Sequence, residues 1–130
     1  MVDAQFSKTA LVKLLIVDDS DEIRRPLVAF LTEEGYAASE ARDGAEALRV
    51  FEMVGADLIL MDIQMPVMNG IDAARELRRR DSALPIFAFT AAPHSIDESR
   101  GLFTAVMVKP MRLAKLCEAL NAYFSAQRPR

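Results

Sequence analysis

Several residues able to do chemistry recur at one place relative to apolar runs. Asp18 and Asp19 follow the run Lys13–Val17. Asp62 follows Asp57–Met61, with Gln64 two residues further on. Thr90 closes Pro85–Thr90, and Lys109-Pro110 follows Ala105–Val108. If these runs are strands of one sheet, three carboxylates, a hydroxyl and a lysine converge on one edge. Two carboxylates ~4 Å apart repel by about 4 kcal/mol at an effective dielectric of about 20. Three cannot stay ionised together without a cation. Oxygen-only donors suit Mg2+ or another hard divalent ion. Such an ion leaves room for a phosphoryl oxygen, and a lysine and a hydroxyl beside it stabilise phosphoryl oxygens. A carboxylate can itself be the nucleophile. The set therefore reads as a Mg2+-assisted phosphoryl acceptor in which an aspartate receives the group.

The elements that must position these residues are visible in the periodicity. After Lys13–Val17, Ile23, Leu27, Phe30 and Leu31 recur at helical spacing, and Gly35 stands where a C′ glycine ends a helix. Tyr36–Glu40 is a weaker strand. Asp43-Gly44-Ala45-Glu46 reads as an N-cap with the N3 acid of a capping box. Ala47, Leu48, Phe51 and Val54 supply the stripe that follows. Asn69 caps a helix with Ile71, Ala73, Ala74 and Leu77 on its buried face. Leu113, Leu116, Cys117, Leu120 and Phe124 mark the last helix. Five strands alternate with helices, and continuous apolar strands require a sheet covered on both faces. A doubly wound α/β fold with a parallel sheet follows. In such sheets ligands bind beyond the carboxyl ends of the strands.

Composition sets the class. The chain has 130 residues, a length expected to form one domain with a real core, and is 52% hydrophobic, which excludes intrinsic disorder. Asp+Glu 19 against Lys+Arg 16 leaves a net charge of −3, so no basic surface for nucleic acid is expected. A single cysteine permits no internal disulfide. No apolar run approaches the ~18 residues needed to span a membrane, and residues 1–10 do not read as a signal peptide. A cytoplasmic setting is expected. Residues 1–10 and 127–130 read as tails flanking one domain over 11–126.

The pattern resembles the receiver domain of two-component response regulators. The pieces that carry the resemblance are Ile16-Val17-Asp18-Asp19, the stretch Asp57–Gly70 (DLILMDIQMPVMNG), Phe89-Thr90-Ala91 and Lys109-Pro110. The resemblance covers roughly Lys13 to Phe124. The resemblance implies a flavodoxin-like strand order 2-1-3-4-5 with helices on both faces. It implies Asp62 as phospho-acceptor, Asp19 as direct Mg2+ ligand, Asp18 as a ligand through water, and Gln64 as a backbone-carbonyl ligand. Thr90 corresponds to the hydroxyl that moves onto the phosphoryl group. Lys109 corresponds to the cation that pairs first with Asp62 and then with the phosphoryl oxygens, and Pro110 to a cis-prolyl position. The partners implied are a histidine kinase or histidine phosphotransfer protein, and a downstream protein reached through Pro93–Gly101, the last strand and the last helix. Such a module is not a conventional enzyme, though it promotes its own phosphorylation and dephosphorylation. With so little chain outside the receiver, output is expected to pass through protein contacts.

One position departs from the family. The residue three before the lysine is usually Tyr or Phe, and here it is Val106. Valine has no long rotamer to swing, so the switch is expected to use the loops after the fourth strand or Phe103. Pro93–Gly101 holds one large apolar residue, Ile96, and reads as a short, mobile or irregular element. His94 reads as a loop residue, Cys117 as a small core residue, and Arg78-Arg79-Arg80 as solvated cations at a helix C-terminus. Other chemistries fit less well. An aspartyl-phosphate hydrolase of the haloacid dehalogenase type needs an acid where Gln64 stands. A flavin carrier needs a phosphate loop where Asp18 and Asp19 stand. A receiver that only binds proteins would not need the full polar set.

Overall fold

The structure is a computed structural model that describes residues 11–127. Of the expected tails at 1–10 and 127–130, only Gln127 is among the described residues, and it ends the last helix. Five strands form one parallel sheet: β1 (Lys13–Val17), β2 (Ala37–Ala41), β3 (Leu58–Met61), β4 (Ile86–Thr90) and β5 (Ala105–Val108). Their order is β2-β1-β3-β4-β5. Four α-helices connect and close it: α1 (Asp21–Glu33), α2 (Gly44–Val54), α3 (Gly70–Arg80) and α4 (Leu113–Gln127). A 3-10 helix over Pro93–Leu102 replaces a helix between β4 and β5.

The sheet separates two cores. Leu15, Val17, Ile59, Met61, Ile86 and Ala88 point to the side covered by α2 and α3. Leu14, Ile16, Leu58, Leu60, Phe87 and Phe89 point to the side covered by α1 and α4. The strict alternation within β1, β3 and β4 is the period-two pleat, with both faces dry. That explains why these strands read as unbroken apolar runs.

The local signals act as caps. Ser20 Oγ accepts from the Ile23 N–H, Asp43 from Glu46, and Asn69 Oδ1 from Asp72. Each satisfies a donor that a helix N-terminus otherwise leaves orphaned. Gly35 adopts φ +103° just after α1, the conformation its C′ place demands. The Glu46 carboxylate reaches back to the N–H of Arg42, one residue before the cap.

Several expectations shift. The second strand runs Ala37–Ala41 rather than Tyr36–Glu40, because Tyr36 leaves the sheet and packs under α4. There its ring meets Phe124 at 6.1 Å and its hydroxyl pairs with Asn121. Ile23, Val54 and Leu113 are exposed rather than buried. Pro93–Leu102 is regularly wound in 3-10 form, anchored by the fully buried Ile96. Arg78 is not a solvated cation. Its guanidinium donates to the carbonyls of Leu102 and Leu84, tying the end of α3 to the end of the 3-10 segment. Cys117, by contrast, is buried in the α1/α4 core as expected. Among the described residues, no helix is long and apolar enough to cross a membrane.

Candidate functional site

The carboxyl ends of β1, β3 and β5 face one edge because the strands are parallel, with β1 beside β3 and β5 beyond β4. Asp18 leaves β1 with its N–H donated to Ala41 O at 3.1 Å. Asp62 leaves β3 with its N–H donated to Val17 O at 2.8 Å. The sheet ladder thus continues one residue past each strand and fixes both α-carbons. Asp18 is 3% exposed and Asp62 7%. Asp19 faces solvent. One carboxylate oxygen from each of the three lies within 4.8 Å of the others.

Lys109, just past β5, supplies the counter-charge. Its Nζ lies 2.7 Å from Asp18 Oδ2 and 3.4 Å from Asp62 Oδ1. The same ammonium sits 5.4 Å from the centroid of the Phe89 ring, within cation–π range. The peptide bond from Lys109 to Pro110 is cis. Three carboxylates against one ammonium leave an excess of negative charge. Burial pushes the Asp62 carboxyl up to about 6, the nearby Asp18 carboxylate adds to the rise, and Lys109 opposes it.

This edge fits a hard divalent cation. Octahedral ligands of Mg2+ at ~2.1 Å stand ~3–4 Å from one another. Carboxylate oxygens within 4.8 Å need only a small closure to reach that spacing. All three donors are oxygens, and the residual charge is of the sign a cation would neutralise.

The remaining residues frame the edge. Thr90 ends β4, 1% exposed, and its Oγ1 accepts from the Ala92 N–H at 3.0 Å, leaving its own proton to donate. Gln64 has an exposed side chain and lines a shallow pocket with Ile63, Met65, Asn69, Ile71 and Ser95. Val106 lies in β5 opposite Ala88, half-buried against the α2/α3 core that also holds Phe103. His94 is exposed in the first turn of the 3-10 segment, 3.6 Å from Asp97. Asp18, Asp19, Asp62 and Lys109 are thus brought together. Thr90, Gln64 and Val106 stand around them without a hydrogen bond to the carboxylates.

Some residues that shape the site were not singled out from sequence. Gly70 donates its N–H to Ile63 O at 2.8 Å, and a Cβ there would sit 2.8 Å from Ile63 Cα and overlap Asp62 O. Gly44 lies as close on the other side, where a Cβ would meet Met68 O at 2.7 Å. Two helix N-termini therefore clamp the loop that follows Asp62. Within that loop Val67 takes φ +71° while 85% exposed, a strained conformation for a β-branched residue. Arg24, 2% exposed, donates to Asp18 O from α1. The MNG spacing was the available signal for Gly70, whereas Arg24 left none.

Comparison with known proteins agrees with this geometry. The family model described as the response regulator receiver domain matches residues 14–121. The sensory transduction protein RegX3 of Mycolicibacterium smegmatis is 39% identical over 92 residues, 71% of this chain and 40% of that protein. The chemotaxis protein CheY of Thermotoga maritima is 35% identical over 113 residues, 84% of this chain and 94% of that protein. The chain spans about 40% of the length of the RegX3 relatives it matches. Among solved structures, the response regulator TrrA of Thermotoga maritima, in complex with Mg(2+)-BeF, superposes with TM-score 0.79 at 34% identity. That match covers 86% of this chain and 98% of that one. Vibrio cholerae CheY4 gives TM-score 0.81 at 32% identity, over 87% and 98%. With a receiver model covering most of its length and a sheet of the same order, the chain belongs to the response regulator receiver domain family, signalling modules of two-component systems rather than conventional enzymes.

Proposed function

We propose that residues 11–126 act as a phosphoacceptor receiver in which Asp62 takes a phosphoryl group from a partner's phosphohistidine. The observation that carries this reading is the acidic edge itself: three carboxylate oxygens within 4.8 Å, with Lys109 shared between Asp18 and Asp62. A metal would be held by the Asp19 and Asp62 carboxylates and the Gln64 carbonyl, with Asp18 through water. When bound, Mg2+ offsets the charge on these carboxylates and on the incoming phosphoryl oxygens.

The residues then have separate tasks. A carboxylate oxygen of Asp62 attacks phosphorus, the P–N bond breaks, and the imidazole leaves with the electron pair. Lys109 is already within ion-pair distance of Asp62 and needs only a short movement to meet the phosphoryl oxygens. Thr90 retains a proton to donate to them. Hydrolysis reverses the outcome: water attacks phosphorus, the P–O bond to Asp62 breaks, and the carboxylate returns. The domain thereby promotes both its phosphorylation and its slow dephosphorylation.

Closure of Thr90 and Lys109 on the phosphoryl group shifts a two-state equilibrium at the face made by Pro93–Gly101, β5 and α4. With Val106 in place of an aromatic, the buried Phe103 and the 3-10 segment carry the change. A histidine kinase or phosphotransfer protein in the cytoplasm is the donor, and a downstream protein is the reader. The domain itself does not contact nucleic acid.

Incubation with acetyl phosphate tests the assignment. The chain should become labelled with Mg2+ and not with EDTA, and Asp62→Asn should abolish the label. Label persisting undiminished in Asp62→Asn would overturn it.

A further inference from the structure

Arg24 is a long cation buried to 98% in a helix next to the acidic edge, and phosphoryl transfer as described above gives it no task. Each of its three nitrogens donates a hydrogen bond. Nε donates to Glu40 at 2.7 Å, Nη2 to Asp21 at 2.5 Å, and Nη1 to the carbonyl of Asp18 at 2.7 Å. The first two bonds pair the charge, which a buried guanidinium requires. They also splint the fork between α1 and β2. The third lands on the peptide that joins Asp18 to Asp19.

That peptide is where the two acids differ. The Asp18 side chain is held independently, by Ser20 N–H on Oδ1 at 2.9 Å and by Lys109 on Oδ2. Asp19 is exposed, and among the described residues no hydrogen bond holds its carboxylate. Its direction is set by the backbone alone, and Arg24 grips that backbone. Mg2+ demands near-ideal octahedral geometry, so a swing of this peptide would be felt at the metal.

We propose that Arg24 is a positioning residue for the cation site, orienting Asp19 through the Asp18–Asp19 peptide with Glu40 as its anchor. This rests on the Mg2+ reading above. Electrostatics alone predicts the opposite sign. Removing a buried positive charge beside three carboxylates would tighten cation binding, whereas loss of positioning weakens it. Outer-shell partners of metal ligands typically carry 10–100-fold of metal affinity.

The experiment is calorimetric titration of the full chain with MgCl2 and separately with CaCl2, without any phosphodonor. The wild type, Arg24→Lys, Arg24→Gln, Glu40→Ala, Asp19→Asn and the double variant Arg24→Lys/Asp19→Asn are compared. Both Arg24 variants should weaken Mg2+ by about tenfold or more. The Ca2+ affinity should fall less, since Ca2+ accepts flexible geometry. In the Asp19→Asn background, Arg24→Lys should cost less than about threefold, because its route of action is gone. Tighter Mg2+ binding in Arg24→Gln, equal loss for both ions, or an undiminished effect without Asp19 would each overturn the proposal. Should an Arg24 variant fail to fold, Glu40→Ala at the sheet edge decides. Mg2+ affinity and Mg2+/Ca2+ selectivity as in wild type would refute the anchor. Absence of Mg2+ binding by the wild type would instead overturn the cation reading itself.

Discussion

The edge at Asp18, Asp62 and Lys109 and the segment Pro93–Leu102, which sets Ile96 into the α2/α3 core, are held very differently. The edge is cross-linked. Sheet bonds fix Asp18 and Asp62, Lys109 bridges them, Gly44 and Gly70 press two helices onto the loop between, and Arg24 holds the backbone behind. The 3-10 segment has one buried side chain, Ile96, and its end is tied by Arg78. Runs of 3-10 helix longer than three or four residues are uncommon, because the hydrogen-bond geometry is poor. Chemistry needs groups preorganised to fractions of an ångström, and a response needs an element whose alternative state is only a few kcal/mol away. The two regions divide these demands.

The sharpest way to break this contrast is Gly70→Ala. Its Cβ would overlap the Asp62 carbonyl, and overpacking against backbone costs about 3 kcal/mol or more. Chemical denaturation should show that loss, and acetyl phosphate labelling should fall with it. An alanine variant of wild-type stability that labels normally would mean the edge is not rigid.

Ile96→Ala probes the other region. Truncating a fully buried isoleucine costs about 2–4 kcal/mol. Here the loss should be local, seen as at least tenfold faster amide exchange across Pro93–Leu102 with labelling of Asp62 changed less than twofold. Equal acceleration in β1 and β3 would show that the segment is part of the same rigid unit.

The charge stored at the edge gives a smaller effect with a definite sign. Asp62 titrates near 6 in the fold against 3.8 unfolded, so its ionised form is what folding disfavours. The penalty is complete above pH ~6, shrinks as pH falls, and is gone below ~4. Without divalent ions, Asp62→Asn should therefore be more stable than wild type at pH 7–8, by at most about 3 kcal/mol. The two should converge near pH 4. Thermal melts in EDTA across this range check it, and a gap that widened on acidification would reverse the assignment.

Val67→Gly should have the least effect. Relieving a β-branched residue from φ +71° should stabilise the fold by roughly 1 kcal/mol, measured by urea denaturation. A destabilised variant would show that the exposed valine makes a contact worth more than its strain.

Much of this was legible in the chain. The residues after each apolar run converge because parallel strands put their carboxyl ends on one edge, so Asp18, Asp62, Thr90 and Lys109 could be found from spacing alone. Ser, Asp and Asn caps act within four residues, and Asn69 and Asp43 did what their types dictate. Arg24 and Arg78 were illegible for a common reason. An arginine in a helix looks the same whether it points to water or to carbonyls elsewhere in the fold, and its partners here lie up to 26 residues away. Tyr36 was misassigned because an aromatic before a strand carries the same propensity as one within it.

The sequence by itself determined the alternation of strands and helices, the capping of two helix starts, and which acids and which lysine meet. These depend on side-chain period and on interactions a few residues long, which the chain encodes directly. Only the tertiary structure decided that Lys109 pairs more closely with Asp18 than with Asp62, and that Asp19 is the acid of the three that faces solvent. It also decided that Arg24 lies behind them both. Those outcomes turn on distances of an ångström between elements far apart in the chain, where burial removes water as an alternative partner and makes each choice of partner costly to change.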